Sequence, residues 1–170
     1  IYSVVLDMKM PPKADKKFVS DYKKEKYKFP YAGAGNVAQK SGKRPVVVGF
    51  GPGGMFSALL LARAGFKPIV LERGMDADSR SRDVEEYWNG GKLKLNSNVQ
   101  FGEGGAGTFS DGKLYTGIGK SAGRVDFVLE TFADAGANED ILYEAHPHIG
   151  TDVLCDVVKN ISCLLYTSDA

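Results

Sequence analysis

A short apolar strand runs directly into a glycine-rich turn in the stretch Pro45-Val46-Val47-Val48-Gly49-Phe50-Gly51-Pro52-Gly53-Gly54. Three consecutive valines are typical of a strand that is buried in a parallel sheet. The apolar run from Met55 to Ala64 predicts a helix, which Gly65 is expected to end. Pro68–Leu71 predicts a second buried strand. The chain around this stretch therefore predicts a strand–turn–helix–strand unit with parallel strands.

The glycines of this turn have the spacing at which a backbone can approach a dinucleotide. Gly49 allows the sharp turn out of the strand, Gly51 leaves room for a pyrophosphate, and Gly54 lets helix and strand pack closely. The helix that follows would point its free N–H groups and the positive end of its dipole at the phosphates. The predicted fold class is α/β, a Rossmann-like βαβ unit that binds FAD or NAD(P).

An acidic residue follows the second predicted strand, where such a unit needs one. Glu72 lies 23 residues after Gly49 and can accept hydrogen bonds from both hydroxyls of an adenosine ribose. A ribose 2′-phosphate would be repelled by this carboxylate, which disfavours NADP. Both FAD and NAD are bound by units of this kind, so the spacing alone leaves the choice between them open.

A second glycine-rich segment runs from Asn98 to Lys113, and residues 102–123 contain eight glycines. So many glycines, interspersed with Thr108 and Ser110, are typical of a loop whose backbone approaches a pyrophosphate or a flavin edge. A flexible surface loop would have the same composition, and both interpretations stay open.

The rest of the chain predicts further helices and one strand. Helices are expected at Asp78–Asn89 and Arg124–Ala135, and a strand is expected at Ile141–Tyr143. Thr151 is a suitable N-cap for a helix that continues through Val158. The first of these helices contains two arginines, Arg80 and Arg82. They could contact a phosphate or lie on a solvated helix face.

The sequence predicts parts of two domains followed by a short tail. Residues 1–40 are expected to be the end of a small N-terminal α+β domain with a basic linker, containing a strand at Ile1–Met8 and a helix at Lys13–Lys28. Residues 41–162 would form a partial FAD-binding domain with an incomplete parallel sheet. Residues 163–170 resemble the translation of a transposon-end adaptor from a sequencing library, which predicts a non-native tail.

The charge is unevenly distributed, although the net charge is +1. Residues 1–44 contain eleven Lys and Arg but four Asp and Glu. A basic arm of this kind can contact nucleic acid. The basic arm also contains three tyrosines, Tyr22, Tyr27 and Tyr31, but they form no RNA-binding signature. Nucleic acid is therefore disfavoured as a partner.

Cysteine use and hydropathy predict a cytoplasmic protein. The two cysteines, Cys155 and Cys163, have no metal or redox spacing, and no secretory signal or membrane-spanning stretch is recognisable. His146 and His148 are candidates for substrate binding or acid–base chemistry, or they shape a loop. They lack acidic or cysteine partners at ligand spacing, so no metal site is predicted.

Four motifs together resemble those of an uncharacterised family of FAD-dependent dehydrogenases among the glutathione-reductase-type flavoproteins, which are NAD(P)/FAD-dependent oxidoreductases. The resemblance covers about residues 44–160 and rests on these motifs: Arg44–Phe56, Leu71-Glu72-Arg73-Gly74, Asn98–Lys113 and His146–Asp152.

The resemblance implies FAD as cofactor and an oxidoreductase that acts on a small-molecule substrate, with NAD(P)H as a candidate electron donor. It implies a pyrophosphate site at Gly49, Gly51, Pro52, Gly53 and Gly54. The adenosine ribose would lie at Glu72, with Arg73 nearby. By analogy with related flavoproteins, the flavin or pyrophosphate would also approach a further set of residues: Gly104, Gly105, Ala106, Gly107, Thr108 and Ser110.

Members of this family are much longer, and C-terminal strands complete their nucleotide-binding sheet. The 170-residue chain is therefore expected to be of low stability, to retain flavin weakly and to be inactive. The catalytic residues stay unassigned. Two alternatives remain: an NAD-dependent enzyme with the same βαβ unit, and a non-catalytic or RNA-associated flavoprotein.

Overall fold

The computed structural model of the chain describes residues 26–30, 34, 42–118, 123–144 and 146–167. The strand predicted at Ile1–Met8 and most of the helix predicted at Lys13–Lys28 lie outside these residues. Residues 26–28, the part of that helix that is described, have no regular structure.

Two parallel strands joined by a helix form the centre of the described structure. Strand β1 (Val46–Val48) pairs with strand β2 (Ile69–Leu71), with Val46 opposite Ile69 and Val48 opposite Leu71. Helix α1 (Pro52–Arg63) connects them. The predicted strand–turn–helix–strand order is therefore confirmed, and the described structure is mixed α/β.

Helix α1 begins three residues earlier than predicted, because Pro52 occupies its first turn, where a missing N–H costs nothing. Its end is the predicted one. The Gly65 N–H donates to the Ala62 carbonyl at 2.9 Å and the Phe66 N–H to the Leu61 carbonyl at 3.0 Å. This pair of bonds closes the helix in a Schellman motif.

Three further helices follow: α2 (Ala77–Trp88), α3 (Arg124–Asp134) and α4 (Thr151–Thr167). The first two agree closely with the predicted helices. Helix α4 begins at Thr151 itself, so the prediction that this residue precedes the helix as its N-cap is wrong by one position. The helix also continues past Val158 into residues 163–167, and the non-native origin of that tail stays a prediction.

The strand predicted at Ile141–Tyr143 is wrong. A 3₁₀ turn occupies Glu139–Leu142 instead, and the Asn138 side chain accepts the Asp140 N–H at 3.0 Å. An asparagine that bonds to the backbone two residues ahead favours a turn over an extended strand. Ile141 is buried all the same, because the turn directs its side chain into the core.

The core lies between α1, α4, the end of α3 and the turn that follows α3. Helix α4 contributes buried residues at helical spacing, which form one apolar stripe: Leu154, Val157, Val158 and Ile161. The sheet is covered on one face only. Among the described residues nothing buries the other face, where Val48 is 81% exposed and Leu71 is 54% exposed. The predicted burial of both strands is therefore wrong for alternate residues.

No helix in the described part of the chain has the length and apolar character needed to cross a membrane.

Candidate functional site

The first glycine-rich turn, Gly49–Gly54, is fixed at the carboxyl ends of both strands. The Gly49 N–H donates to the Leu71 carbonyl at 2.7 Å, which ties the turn to the end of β2. A Cβ added to Gly54 would lie 1.9 Å from the Gly49 carbonyl oxygen. No side chain fits there, so Gly54 has the helix–strand packing role that its spacing predicts.

The start of α1 is open. Among the described residues no side chain caps the helix, and its first turn contains no acidic residue. Pro52 and Gly53 are exposed, and Gly51 immediately precedes the helix with a φ of −75°. An uncapped N-terminus presents free N–H groups and the positive end of the helix dipole, which together favour an anion.

Glu72 is half-buried beside this turn, and both of its carboxylate oxygens accept backbone hydrogen bonds. One accepts the Phe50 N–H at 2.6 Å and the other accepts the Gly74 N–H at 2.8 Å. The acidic residue therefore holds the first glycine-rich turn in place, a role that its spacing did not indicate. Each carboxylate oxygen has further acceptor capacity, so a ribose hydroxyl can still bind.

Arg73 follows Glu72 in the chain, but its head group is directed elsewhere. Its guanidinium carbon lies 4.0 Å from the centroid of the Phe101 ring, which is a cation–π contact. The structure therefore places the Arg73 head group against Phe101, in the loop before Gly104.

The second glycine-rich segment, residues 98–113, contacts the first turn directly. The Gly104 N–H donates to the Phe50 carbonyl at 2.8 Å. A Cβ on Gly105 would lie 3.0 Å from Gly51 Cα and 3.2 Å from Pro52 Cδ. The structure thus brings together two glycine-rich stretches that are about fifty residues apart in the sequence.

The rest of this segment forms a 3₁₀ turn at Ala106–Phe109. Ala106, Gly107 and Ser110 are exposed, whereas Thr108 is 1% exposed. Its hydroxyl points inwards, since a Cβ on Gly104 would lie 2.3 Å from Thr108 Oγ1. Thr108 therefore shapes the turn from inside rather than facing solvent with the other predicted site residues.

Sequence reasoning missed the position of Arg80. The residue is completely buried, so both interpretations offered for it, phosphate contact and a solvated helix face, are wrong. Its guanidinium donates to backbone carbonyls of the second glycine-rich segment, and burial lowers the pKa of this group. Backbone carbonyls leave no signature in a sequence, so no pattern could have revealed these partners. Arg82 is the exposed arginine of the pair.

A cleft of about 630 Å³ opens beside Glu72. Ligand-binding clefts of proteins are typically roughly 300–1,000 Å³ in volume. The end of β2, the start of α2 and the C-terminal part of α4 form its walls, and these residues are among those that line it: Phe50, Glu72, Met75, Asp76, Glu103 and Tyr166. The cleft, whose wall at Tyr166 belongs to the predicted non-native tail, is large enough for an adenosine group at the predicted ribose position.

Each of the two histidines contacts a residue in the range 113–115. His148 forms an antiparallel bridge with Lys113, and the His146 ring lies 5.4 Å from the Tyr115 ring centroid. Both histidines are exposed. Within the described part of the chain, no hydrogen bond joins either of them to the glycine-rich turn or to Glu72. Shaping this loop is the one role for which the structure gives them contacts.

No family model matches the chain. A protein of Clostridium beijerinckii (strain ATCC 51743 / NCIMB 8052), described as "Uncharacterized protein", is 61% identical over 118 residues. Those residues are 69% of this chain and 22% of that relative. The chain thus spans about a fifth of the length of the curated relative that it matches, and it is similar to one part of a much longer protein.

Proposed function

We propose that this chain contains the adenosine-diphosphate-binding part of an FAD-dependent oxidoreductase. The observation that carries the proposal is the contact between the two glycine-rich stretches, at Gly51 and Gly105, beside an acidic residue that follows β2. Dinucleotides bind to open α/β sheets at the carboxyl ends of parallel strands. The turn, the second segment and Glu72 all lie at that end.

The residues present fit a diphosphate and its ribose. The uncapped start of α1 offers backbone N–H groups to the pyrophosphate, and Pro52 and Gly53 leave this position open to solvent. Glu72 would accept the ribose hydroxyls, and the adjoining cleft would accommodate the adenine. When bound, FAD supplies the hydride- and electron-transfer chemistry, and the protein supplies binding and orientation.

FAD is favoured over NAD by the second glycine-rich segment and by the family resemblance. Backbone from a distant part of the chain packs on the phosphate turn, as expected for a cofactor that extends beyond the βαβ unit. In this proposal the whole protein oxidises or reduces a small molecule, and NAD(P)H is a candidate electron donor.

Gly51→Ala tests the proposal without disturbing the fold. The φ of Gly51 suits alanine, and the added Cβ would lie 3.7 Å from Gly105 Cα, an ordinary contact distance. The methyl group would occupy the space that a pyrophosphate needs. We expect the affinity for ADP to fall by about tenfold or more, equivalent to about 1.4 kcal/mol, as measured by calorimetric titration.

Gly117→Ala is the matched control, because no atom lies within 4 Å of its added Cβ. It should bind ADP as the unchanged chain does. Equal ADP affinity in the unchanged chain and in Gly51→Ala would refute the site. The oxidoreductase part of the proposal is tested separately on the purified Clostridium beijerinckii relative, which should contain bound flavin by its absorbance spectrum.

A further inference from the structure

A buried positive charge lies beneath the second glycine-rich segment. Arg80 extends from α2 with 0% of its surface exposed, and its hydrogen bonds all end on backbone carbonyls. Nε donates to Asn98 at 2.8 Å, one terminal nitrogen to Val99 at 2.9 Å, and the other to Glu103 at 2.7 Å and to Gly102 at 3.3 Å. Because none of these acceptors carries a formal charge, burial of this guanidinium is costly, and its hydrogen bonds offset that cost.

The same guanidinium also touches the far end of the segment. Its central carbon lies 4.8 Å from the Phe109 ring centroid, and Phe109 ends the 3₁₀ turn. Trp88 packs edge-on against that ring, with the two centroids 6.5 Å apart. Arg80 therefore bridges residues 98–103 to residue 109, and Trp88 is a natural reporter of this arrangement.

Gly104 and Gly105, which contact the first turn, lie between these two anchors. The Glu103 N–H donates to the Met75 carbonyl at 3.0 Å, and the next amide, that of Gly104, donates to Phe50. Gly102 has a φ of +128°, and its added Cβ would lie 2.5 Å from Arg80 Cδ. The backbone thus curves closely around the arginine side chain before it reaches Gly51.

We infer that Arg80 is the positioning residue of the candidate site, holding the second glycine-rich segment against the first turn without touching the ligand. This inference rests on the proposed function. It assigns a role to a residue that lies beneath the site and is not among the predicted ligand contacts. A merely structural arginine would affect the stability of the chain but not the affinity of molecules that remain folded.

The test compares ADP affinity in three variants whose folding is checked by circular dichroism. Arg80→Lys keeps the charge and most of the alkyl chain but cannot reach carbonyls on several sides. We expect ADP affinity to fall by about tenfold or more in this variant. Arg80→Ala should lose as much or more, and added methylguanidinium should restore part of its affinity. Arg82→Lys, the exposed control on the same helix, should bind normally.

One further readout makes the outcome decisive. Acrylamide quenching of Trp88, the single tryptophan, should change in Arg80→Lys without any ligand, because Phe109 loses its partner. Where Arg80→Ala fails to fold, Arg80→Lys decides. A folded Arg80→Lys variant with unchanged ADP affinity would overturn the inference, whatever its Trp88 quenching. If the unchanged chain binds no ADP, the proposed function fails, and Trp88 quenching still tests whether Arg80 holds the segment.

Discussion

Glu72 has one role that the structure shows and a second that the proposed function assigns to it. Its oxygens accept the N–H groups of Phe50 and Gly74, and both bonds hold the chain around the first glycine-rich turn. A carboxylate satisfies two backbone N–H donors only if both of its oxygens can accept hydrogen bonds. The same group is the proposed ribose ligand, so the proposal couples ligand binding to the geometry of the turn at this residue.

Replacement of Glu72 by glutamine should affect both roles. The amide nitrogen of Gln cannot accept either N–H, so one of the two donors loses its partner at a cost of about 1–3 kcal/mol. We expect a lower urea midpoint of unfolding. We also expect that the preference for ADP over 2′,5′-ADP, which the negative carboxylate imposes, becomes smaller.

Glu85→Gln makes the same substitution at an exposed position on α2 and should change neither quantity. A Glu72→Gln variant with the unfolding midpoint and ligand preference of the unchanged chain would show that the carboxylate does neither task.

Individual site residues differ in how far a sequence can predict them. The turn at Gly49 and the helix–strand packing at Gly54 follow from spacing, because a βαβ unit imposes fixed distances along the chain, whereas the hydrogen bonds that Glu72 accepts do not. Arg80 could not be predicted, since its partners are carbonyls of a loop whose path depends on tertiary packing. The inward orientation of Thr108 was missed for the same reason.

At the scale of elements, the start of α2 lies beside the cleft. Asp76 is its N-cap, and its side chain accepts the Ser79 N–H at 2.9 Å. Hydrogen bonds from Ser79 hold the pKa of the Asp76 carboxyl below its ordinary value of 3.8. Glu103 also accepts the Ala77 N–H at 2.7 Å, so two carboxylates stabilise the start of this helix.

The lowered pKa predicts a specific pH dependence of stability. A carboxyl whose pKa is lower in the folded than in the unfolded chain stabilises the fold above the unfolded value, and this contribution is lost as the pH falls through the folded value. Asp76→Asn keeps a good N-cap but does not titrate. We expect the unchanged chain to lose more stability than Asp76→Asn below about pH 4.

Asp76→Ala removes the cap at every pH and should cost about 1 kcal/mol at neutral pH, as measured by urea unfolding. Parallel pH profiles for the unchanged chain and Asp76→Asn would rule out this account of the helix start.

Elements with strong local signals were predicted well. The end of helix α1 follows from the glycine after it and α3 follows from its amphipathic pattern, whereas the start of α1 at Pro52 lies three residues before the predicted one. The predicted strand at Ile141–Tyr143 failed because the asparagine-capped turn at Asn138 was overlooked. A three-residue apolar run does not by itself distinguish a strand from a buried turn.

At the scale of the whole molecule, the described sheet has one covered and one open face. Val47 faces α1, since its Cγ1 would lie 3.5 Å from a Cβ on Gly54, whereas its neighbour Val48 is 81% exposed. Aliphatic side chains from both strands share the open face: Val46, Val48, Ile69 and Leu71. Open apolar faces of this kind promote association and bind hydrophobic dyes.

Alternate lysine substitutions should separate the two faces. Val48→Lys is expected to change the free energy of unfolding by no more than about 0.5 kcal/mol and to reduce binding of the dye ANS. Val47→Lys would place a charge against α1 and should destabilise the fold by several times as much. Urea unfolding measures both values, and equal costs for the two variants would contradict the described arrangement of the sheet.

The contact between Gly51 and Gly105 is the feature that local sequence reasoning could least specify. Composition left the second glycine-rich segment either at a ligand or free on the surface, because local patterns do not specify long-range packing. Tertiary structure adds the hydrogen bond from Gly104 to Phe50 and the anchor at Arg80. The proposed site therefore depends on packing across the molecule as much as on its motif.

The most direct test maps ADP on the ¹⁵N-labelled chain by amide chemical shifts. The proposed site predicts saturable shifts at the N–H groups of Gly53, Gly54, Gly74 and Gly105, with none at the exposed Gly117. Shifts at the first four that disappear in Gly51→Ala would support it. An ADP titration that leaves the turn and the second glycine-rich segment unshifted would contradict the central claim.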